Sequence, residues 1–295
     1  MAKPAADPSC PLPLSTFVTA QDGLALHVLE FGPRATGLKP VVCLPGFSRT
    51  AEDFTALARA LAADGRRVLA LDSRGRGRSQ FDPDPDKYSL AVELNDLITV
   101  LTAAEAMPAV LIGSSRGGLL IMLLAVQRPT AIAGAVLNDI GPVIETKGLL
   151  RIKGYVGKLP APRTLQEGAG ILRSMSEDQF PKLTEADWLG AARRTWREDT
   201  NGLTLTYDPR LAEAFAAFTP DAAPPPIWDQ FDALAQVPLM VIRGANSDIL
   251  GAGTVDAMRA RRERMESVEV PDQGHTPLLA EADVIARIAA FVAAC

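Results

Sequence analysis

Gly113-Ser114-Ser115-Arg116-Gly117 is the stretch of this chain best suited to chemistry. It follows the apolar run Val110-Leu111-Ile112 and leads into another, Leu119-Leu120-Ile121. That setting predicts a sharp strand-to-helix turn holding Ser115 above a sheet edge. Glycines suit such a turn because larger side chains would clash within it. A serine hydroxyl becomes a useful nucleophile only when a base takes its proton, and the chain offers two histidines, His27 and His275. His27 falls inside an expected strand and reads as structural. His275 follows Gln273-Gly274 in a loop between the last strand and the last helix, where functional groups concentrate. His275 is therefore the expected base. The carboxylate that orients it should lie between serine and histidine in sequence. Asp248, in Arg243-Gly244-Ala245-Asn246-Ser247-Asp248 after a strand, fits this place. Asp139, in Leu137-Asn138-Asp139-Ile140-Gly141-Pro142, also follows a strand and is the alternative acid; its plainer role is a structural ion pair or turn cap.

The elements that must position these residues follow from hydrophobic periodicity, which switches repeatedly between two and 3.6. Strands are expected at 15–20, 24–31, 41–44, 67–71, 109–112, 133–137, 239–242 and 267–270. Helices are expected at 51–63, 89–105, 116–127, 254–264 and 278–293. Short all-apolar strands alternating with helices imply an α/β fold, a mostly parallel central sheet with helices on both faces. Between about 143 and 232 the strand rhythm stops. Helix-like pieces broken by Pro160, Pro162, Pro181 and Pro224-Pro225-Pro226 carry all the tryptophans, Trp188, Trp196 and Trp228. This stretch is expected to be an inserted helical cap. The organisation expected is then a flexible extension at 1–14, a core at 15–142 and 233–295, and the cap at 143–232.

Composition narrows the function classes. The 295 residues are 47% hydrophobic and 22% charged, with 30 basic against 35 acidic side chains, hence a net charge of −5. That is ordinary for a folded soluble chain and argues against nucleic acid as a partner, because phosphate neutralisation needs a basic surface. No apolar stretch approaches the roughly 20 residues that cross a bilayer, so no membrane span is expected. Cys10, Cys43 and Cys295 form no CxxC and no plausible disulfide framework, which points to a reducing cytoplasm. The N-terminus lacks the apolar segment of a signal peptide.

Taken together, Leu44-Pro45-Gly46-Phe47, Asp72-Ser73-Arg74-Gly75-Arg76-Gly77-Arg78-Ser79, Gly113 to Gly117 and Gly274-His275 resemble, in order and spacing, the motifs of the α/β-hydrolase superfamily. The resemblance extends from about Ser15 onward. It implies an oxyanion hole made by the backbone N–H groups of Phe47 and Arg116, and a structural role for the glycine-rich turn after Asp72. The sequence departs from the family in two places. Pro45 stands where the family usually has histidine, and Asp248 comes four residues after Gly244 where the family usually spaces its acid at three.

The reading that results is a serine esterase cleaving a small-molecule carboxylic ester through Ser115, His275 and Asp248, by way of an acyl-enzyme, with no metal and no cofactor. Carbon–carbon bond hydrolases and enol-lactonases of the same fold use the same residue types and remain alternatives; a ligand receptor without turnover is a more distant one. Oligomeric state is not legible. The substrate pocket is expected to draw on the aromatic residues of the cap, Trp188, Trp196, Phe215, Phe218 and Trp228. Arg116 needs a partner for its guanidinium. Asp139 or Asp72 is the expected one, and a substrate carboxylate is the alternative.

Overall fold

The computed structural model describes residues 12–200, 202–216, 218–219 and 224–295. Most of the expected 1–14 extension thus lies outside the described residues. The chain opens with β1 (Leu14–Thr19) and β2 (Ala25–Phe31), an antiparallel pair. Then β3 (Val41–Leu44), α1 (Thr55–Ala63), β4 (Val68–Leu71), α2 (Leu90–Ala103), β5 (Ala109–Ser114), α3 (Arg116–Gln127) and β6 (Ile132–Asn138) alternate as expected. After an insertion, α7 (Trp228–Asp232), β9 (Leu239–Gly244), α8 (Ala252–Arg261), β10 (Glu266–Val270) and α9 (Ala282–Ala294) complete the core. The sheet runs β1-β2-β4-β3-β5-β6-β9-β10, with parallel pairing from β4 to β10.

Side-chain alternation explains why helices cover both faces. In β5 and β6, Leu111 and Leu137 join a core with Leu120 and Ile121 of α3 and Leu97 of α2. Their neighbours Val110, Ile112 and Val136 point the other way, against Leu57 of α1 and Ile288 and Phe291 of α9. β3, β4 and β5 are buried along their whole length, which is why they read as continuous apolar runs rather than alternating ones.

The insertion between the neighbouring strands β6 and β9 contains α4 (Thr146–Tyr155), α5 (Leu165–Ser176) and α6 (Glu185–Thr195). It also contains an antiparallel hairpin, β7 (Trp196–Asp199) and β8 (Gly202–Leu205), which the helical expectation missed. Trp196 and Thr204 favour strand, but four-residue arms are too short to show alternation above the surrounding helical pattern.

The turn after β4 is structural, as the resemblance implies. Asp72 is buried; one carboxylate oxygen accepts from Ala51 N (2.7 Å), the other from Arg78 N (3.0 Å) and pairs with His27 Nδ1 (2.7 Å). His27 is spent there, with Nε2 2.8 Å from Ser15 Oγ. Gly77 (φ +57°) has no room for a side chain, because a Cβ would run into the Asp72 carboxylate. The buried Arg74 guanidinium binds Asp96 through two 2.6 Å bonds and Asp82 through one more, and reaches Asp22 at 3.0 Å. Burial raises the Asp96 pKa against the pull of Arg74. Arg74→Met should therefore destabilise the protein by about 3–5 kcal/mol, the usual cost of removing one partner from a buried ion pair. Urea unfolding followed by circular dichroism measures it.

Candidate active site

The site is assembled at the C-terminal ends of β5, β6, β9 and β10, where parallel sheets gather ligands. β5 and β6 pair in register up to Ser114 and Asn138, so the next residue of each, Ser115 and Asp139, leaves its strand at the same level. Ser115 N donates to Asn138 O (2.9 Å) and ties the two exits together. Both residues hold positive φ, +48° at Ser115 and +57° at Asp139. The turn around Ser115 closes only because Gly113 and Gly117 lack side chains: a Cβ on the first would strike Gly117, and one on the second the Leu44 carbonyl.

His275 connects the two. Its Nε2 lies 2.8 Å from Ser115 Oγ and its Nδ1 lies 2.8 Å from Asp139 Oδ2. The Asp139 carboxylate is fully buried and also accepts from Gly244 N (2.8 Å) and Ser247 Oγ (2.6 Å). The backbone of His275 donates to Gln179 Oε1 (3.2 Å).

The structure thus brings together the expected serine and histidine with Asp139, the alternative acid. Asp248 is not the partner of His275. Its carboxylate is gripped by Arg151 of α4, through Nε (2.7 Å) and Nη2 (2.9 Å). Burial would raise its pKa, but the Arg151 fork outweighs burial and holds it below the usual carboxylate range. Three residues after Gly244, at the family's usual spacing for the acid, stands Ser247. Its hydroxyl donates to Asp139, so the turn after β9 supports a carboxylate supplied by β6 instead of supplying one.

The Pro45-Gly46-Phe47 turn lies against the serine, with Ser115 Cβ 3.8 Å from where a Cβ on Gly46 would stand. Phe47 is clamped by two guanidiniums. Arg76 Nε donates to its carbonyl (2.7 Å), and its ring lies 5.3 Å from the Arg76 guanidinium and 5.0 Å from that of Arg116. Both arginines share Glu93 of α2, at 2.6 Å each. Glu93, rather than the expected Asp139 or Asp72, is the partner of Arg116. The carboxylate comes from a helix twenty-three positions earlier, which strand-end reasoning could not reach. Arg116 also donates to Tyr88 O (2.9 Å), so its guanidinium faces the protein and not a substrate.

A cavity of about 530 Å³ opens over Ser115 and His275. Trp188 lines it, as expected of the insertion, but Trp196, Phe215, Phe218 and Trp228 do not. Trp196 is buried against Gly168, and Phe215 packs edge-on to Phe47 at 4.9 Å. The Phe218 carbonyl accepts from Lys153 Nζ (2.6 Å), and Trp228 packs against Phe231 and under Arg261. Those rings hold the insertion together and dock it on the core. The aromatic lining comes instead from Phe47, Phe54, Tyr155, Phe180 and Tyr207, with Arg49, Arg151 and Arg194 beside them. The tyrosines and arginines were not singled out from sequence; the one available signal was the apolar spacing Ile152–Tyr155 on a helix, which also suits plain packing. Among the described residues no group of His, Cys, Asp and Glu could hold a metal ion, and no helix is long and apolar enough to cross a membrane.

A parallel sheet carrying a serine at a strained strand-to-helix turn, with a histidine against it, defines an α/β hydrolase. The chain belongs to the alpha/beta hydrolase family, whose sequence model matches residues 41–288. It is 34% identical over 279 residues to a 3-hydroxybutyrate-oligomer hydrolase of Cupriavidus necator, covering 92% of this chain and 94% of that one. It is 25% identical over 245 residues to an sn-1-specific diacylglycerol lipase of Danio rerio, covering 80% and 72% of the two chains. The crystal structure of an alpha/beta hydrolase from Novosphingobium aromaticivorans superposes with a TM-score of 0.89 at 40% identity, over 96% of this chain and 99% of the other.

The Phe47 clamp depends on one buried carboxylate serving two cations. Glu93→Ala leaves both guanidiniums uncompensated, and should cost about 3–5 kcal/mol in stability, read from the midpoint of thermal or urea unfolding.

Proposed function

We propose that this protein hydrolyses carboxylic esters through Ser115, His275 and Asp139, with the backbone N–H groups of Phe47 and Arg116 as the oxyanion hole and the insertion at about 143–232 as a cap over the pocket. The observation that carries this reading is the unbroken chain of contacts from Ser115 Oγ through His275 to Asp139, 2.8 Å at each step. With Nδ1–H donating to Asp139, Nε2 is left as an acceptor for the serine proton. Ser115 Oγ attacks the ester carbonyl as its proton passes to Nε2, and negative charge collects on the carbonyl oxygen. Donors aimed at that oxygen are each worth about 3–4 kcal/mol in comparable sites. His275 returns the proton to the departing alcohol oxygen, leaving an acyl-serine. Water, deprotonated by the same nitrogen, then releases the acid and restores the serine. Ester cleavage is favoured over the carbon–carbon and enol-lactone alternatives by the Cupriavidus necator relative, whose named substrate is joined by ester bonds and which matches almost the whole chain.

Turnover of p-nitrophenyl butyrate tests the reading. Ser115→Ala should lower kcat by about five to six orders of magnitude, and adding His275→Ala should cost little more, because the residues act as a unit. Asp139→Asn should cost about 10⁴-fold by leaving the imidazole in the wrong tautomer, while Asp248→Asn costs on the order of tenfold or less. Equal losses at the two aspartates would refute the assignment of the acid. Activity on a vinylogous diketone with none on any ester would replace the ester reading with the carbon–carbon one.

A further inference from the structure

The lining of the cavity is richer in hydrogen-bond donors than any purely apolar acyl pocket requires. Arg49 spends Nε and Nη2 on Asp53, at 2.7 Å each, and its remaining amino group meets no protein acceptor among the described residues. Arg194 approaches the same Asp53 with its Nε at 2.9 Å but out of line for a hydrogen bond, so that buried N–H is left unpartnered. Arg151 is anchored on Asp248 through Nε and Nη2, and Tyr155 lines the cavity with it. Tyr207, almost wholly buried, accepts from Gly157 N (3.3 Å). Neither the Tyr155 nor the Tyr207 hydroxyl donates to a protein acceptor among the described residues. Burial raises the pKa of both phenols, that of Tyr207 to about 12, so both remain protonated donors at neutral pH.

The carboxylate nearest these donors, Asp53, is already taken. Burial opposes ionisation of Asp53, but Arg49 and Arg194 outweigh it and keep the carboxyl charged and occupied. Glu52 and Asp187 stand at the exposed rim, and Asp187 is held by the Thr184 hydroxyl (2.6 Å) and backbone (2.8 Å). Although the residue as a whole is exposed, desolvation of its carboxyl and the neighbouring Asp72 and Asp53 raise the Glu52 pKa. A cavity lined this way offers an entering acceptor-rich group several donors that no protein acceptor competes for.

We infer that Arg49, Arg151, Arg194, Tyr155 and Tyr207 bind a free carboxylate on the substrate, so that the preferred esters are acidic ones carrying that group a few bonds from the scissile carbonyl. The inference rests on the ester-hydrolase reading for the word substrate, but the anion site stands on its own geometry. Distance supports the pairing of the two sites. The place a Cβ would take on Gly46 is 3.4 Å from Arg49 Cγ and 3.8 Å from Ser115 Cβ, so the guanidinium stem and the nucleophile flank one glycine. A cavity of about 530 Å³ accommodates a short chain linking ester and carboxylate, as in the half-ester of a small dicarboxylic acid or the ester of a small hydroxy acid.

Calorimetric binding to the Ser115→Ala protein tests the anion site without turnover. Monomethyl glutarate should bind at least about tenfold more tightly than dimethyl glutarate, the scale of a charge-assisted contact of about 1.4 kcal/mol. Arg49→Met in the same background should bring the two within about threefold, with Arg194 Nε still in ion-pair range of Asp53 at 2.9 Å. Tyr155→Phe, which removes a single oxygen, should reduce the preference several-fold and covers the case in which Arg49→Met does not fold. Equal affinity for monoester and diester, or a preference that survives both substitutions, overturns the inference. Preferential binding of the monoester by Ser115→Ala, with no hydrolysis of any ester by the unaltered protein, would keep the carboxylate site and reject the hydrolase reading instead.

Discussion

The structure is organised around a single carboxylate that water cannot reach. Asp139 is fully buried, and an ion in that position is tolerable only if donors surround it. They come from two strand exits, Gly244 and Ser247 at the end of β9 and His275 after β10, while Asp139 itself leaves β6. One charge therefore fixes the relative heights of three strand exits. Because β5 pairs with β6 in register, the same charge sets where Ser115 stands with respect to His275. The geometry of the site is a by-product of satisfying an ion.

A second buried network does comparable work for the opposite wall. Arg76 and Arg116 converge on Glu93, and Phe47 is caught between them by its ring and its carbonyl. Pinning that carbonyl from behind fixes the plane of the peptide bond that follows it and the ring position of Phe47, next to the serine. Arg74 with Asp96, Asp82 and Asp22 continues the same polar seam toward the N-terminal edge of the sheet. The DxRGxGxS-like turn is thus less a loop than a row of cations threaded between α2 and the strand ends.

How much of this was legible follows from the range over which each signal acts. The core strands, the turn at Ser115 and the choice of His275 as the histidine placed against it are written in local patterns: apolar runs, small residues beside a serine, a scarcity of histidines. The carboxylate that pairs with His275 is not set locally. Asp139 and Asp248 each follow a strand, and choosing between them needs the register of β6 against β5 and the knowledge that Arg151 waits for one of them. The extra residue between Gly244 and Asp248 was the visible trace of this exchange, since it puts Ser247 at the position where a carboxylate is usual. The partner of Arg116 and the lining of the cavity failed for the same reason. Glu93 on α2, Tyr155 on α4 and Tyr207 in the connection after β8 carry no local mark of the site, and only the tertiary fold turns them toward it. The β7–β8 hairpin was too short to register at all.

Ser115 and Asp139 share one further property: both are non-glycine residues held in left-handed backbone geometry, at φ of +48° and +57°. Conformations of this kind cost of order 1–3 kcal/mol each and persist only where the surroundings over-determine them. Glycine at either position would relax the chain, and would also erase the hydroxyl or the carboxylate. Backbone ease and the side chains that meet at His275 consequently pull in opposite directions at these two residues. The buried ion network around them is the reserve that lets a marginally stable domain keep side chains where the backbone alone would favour none.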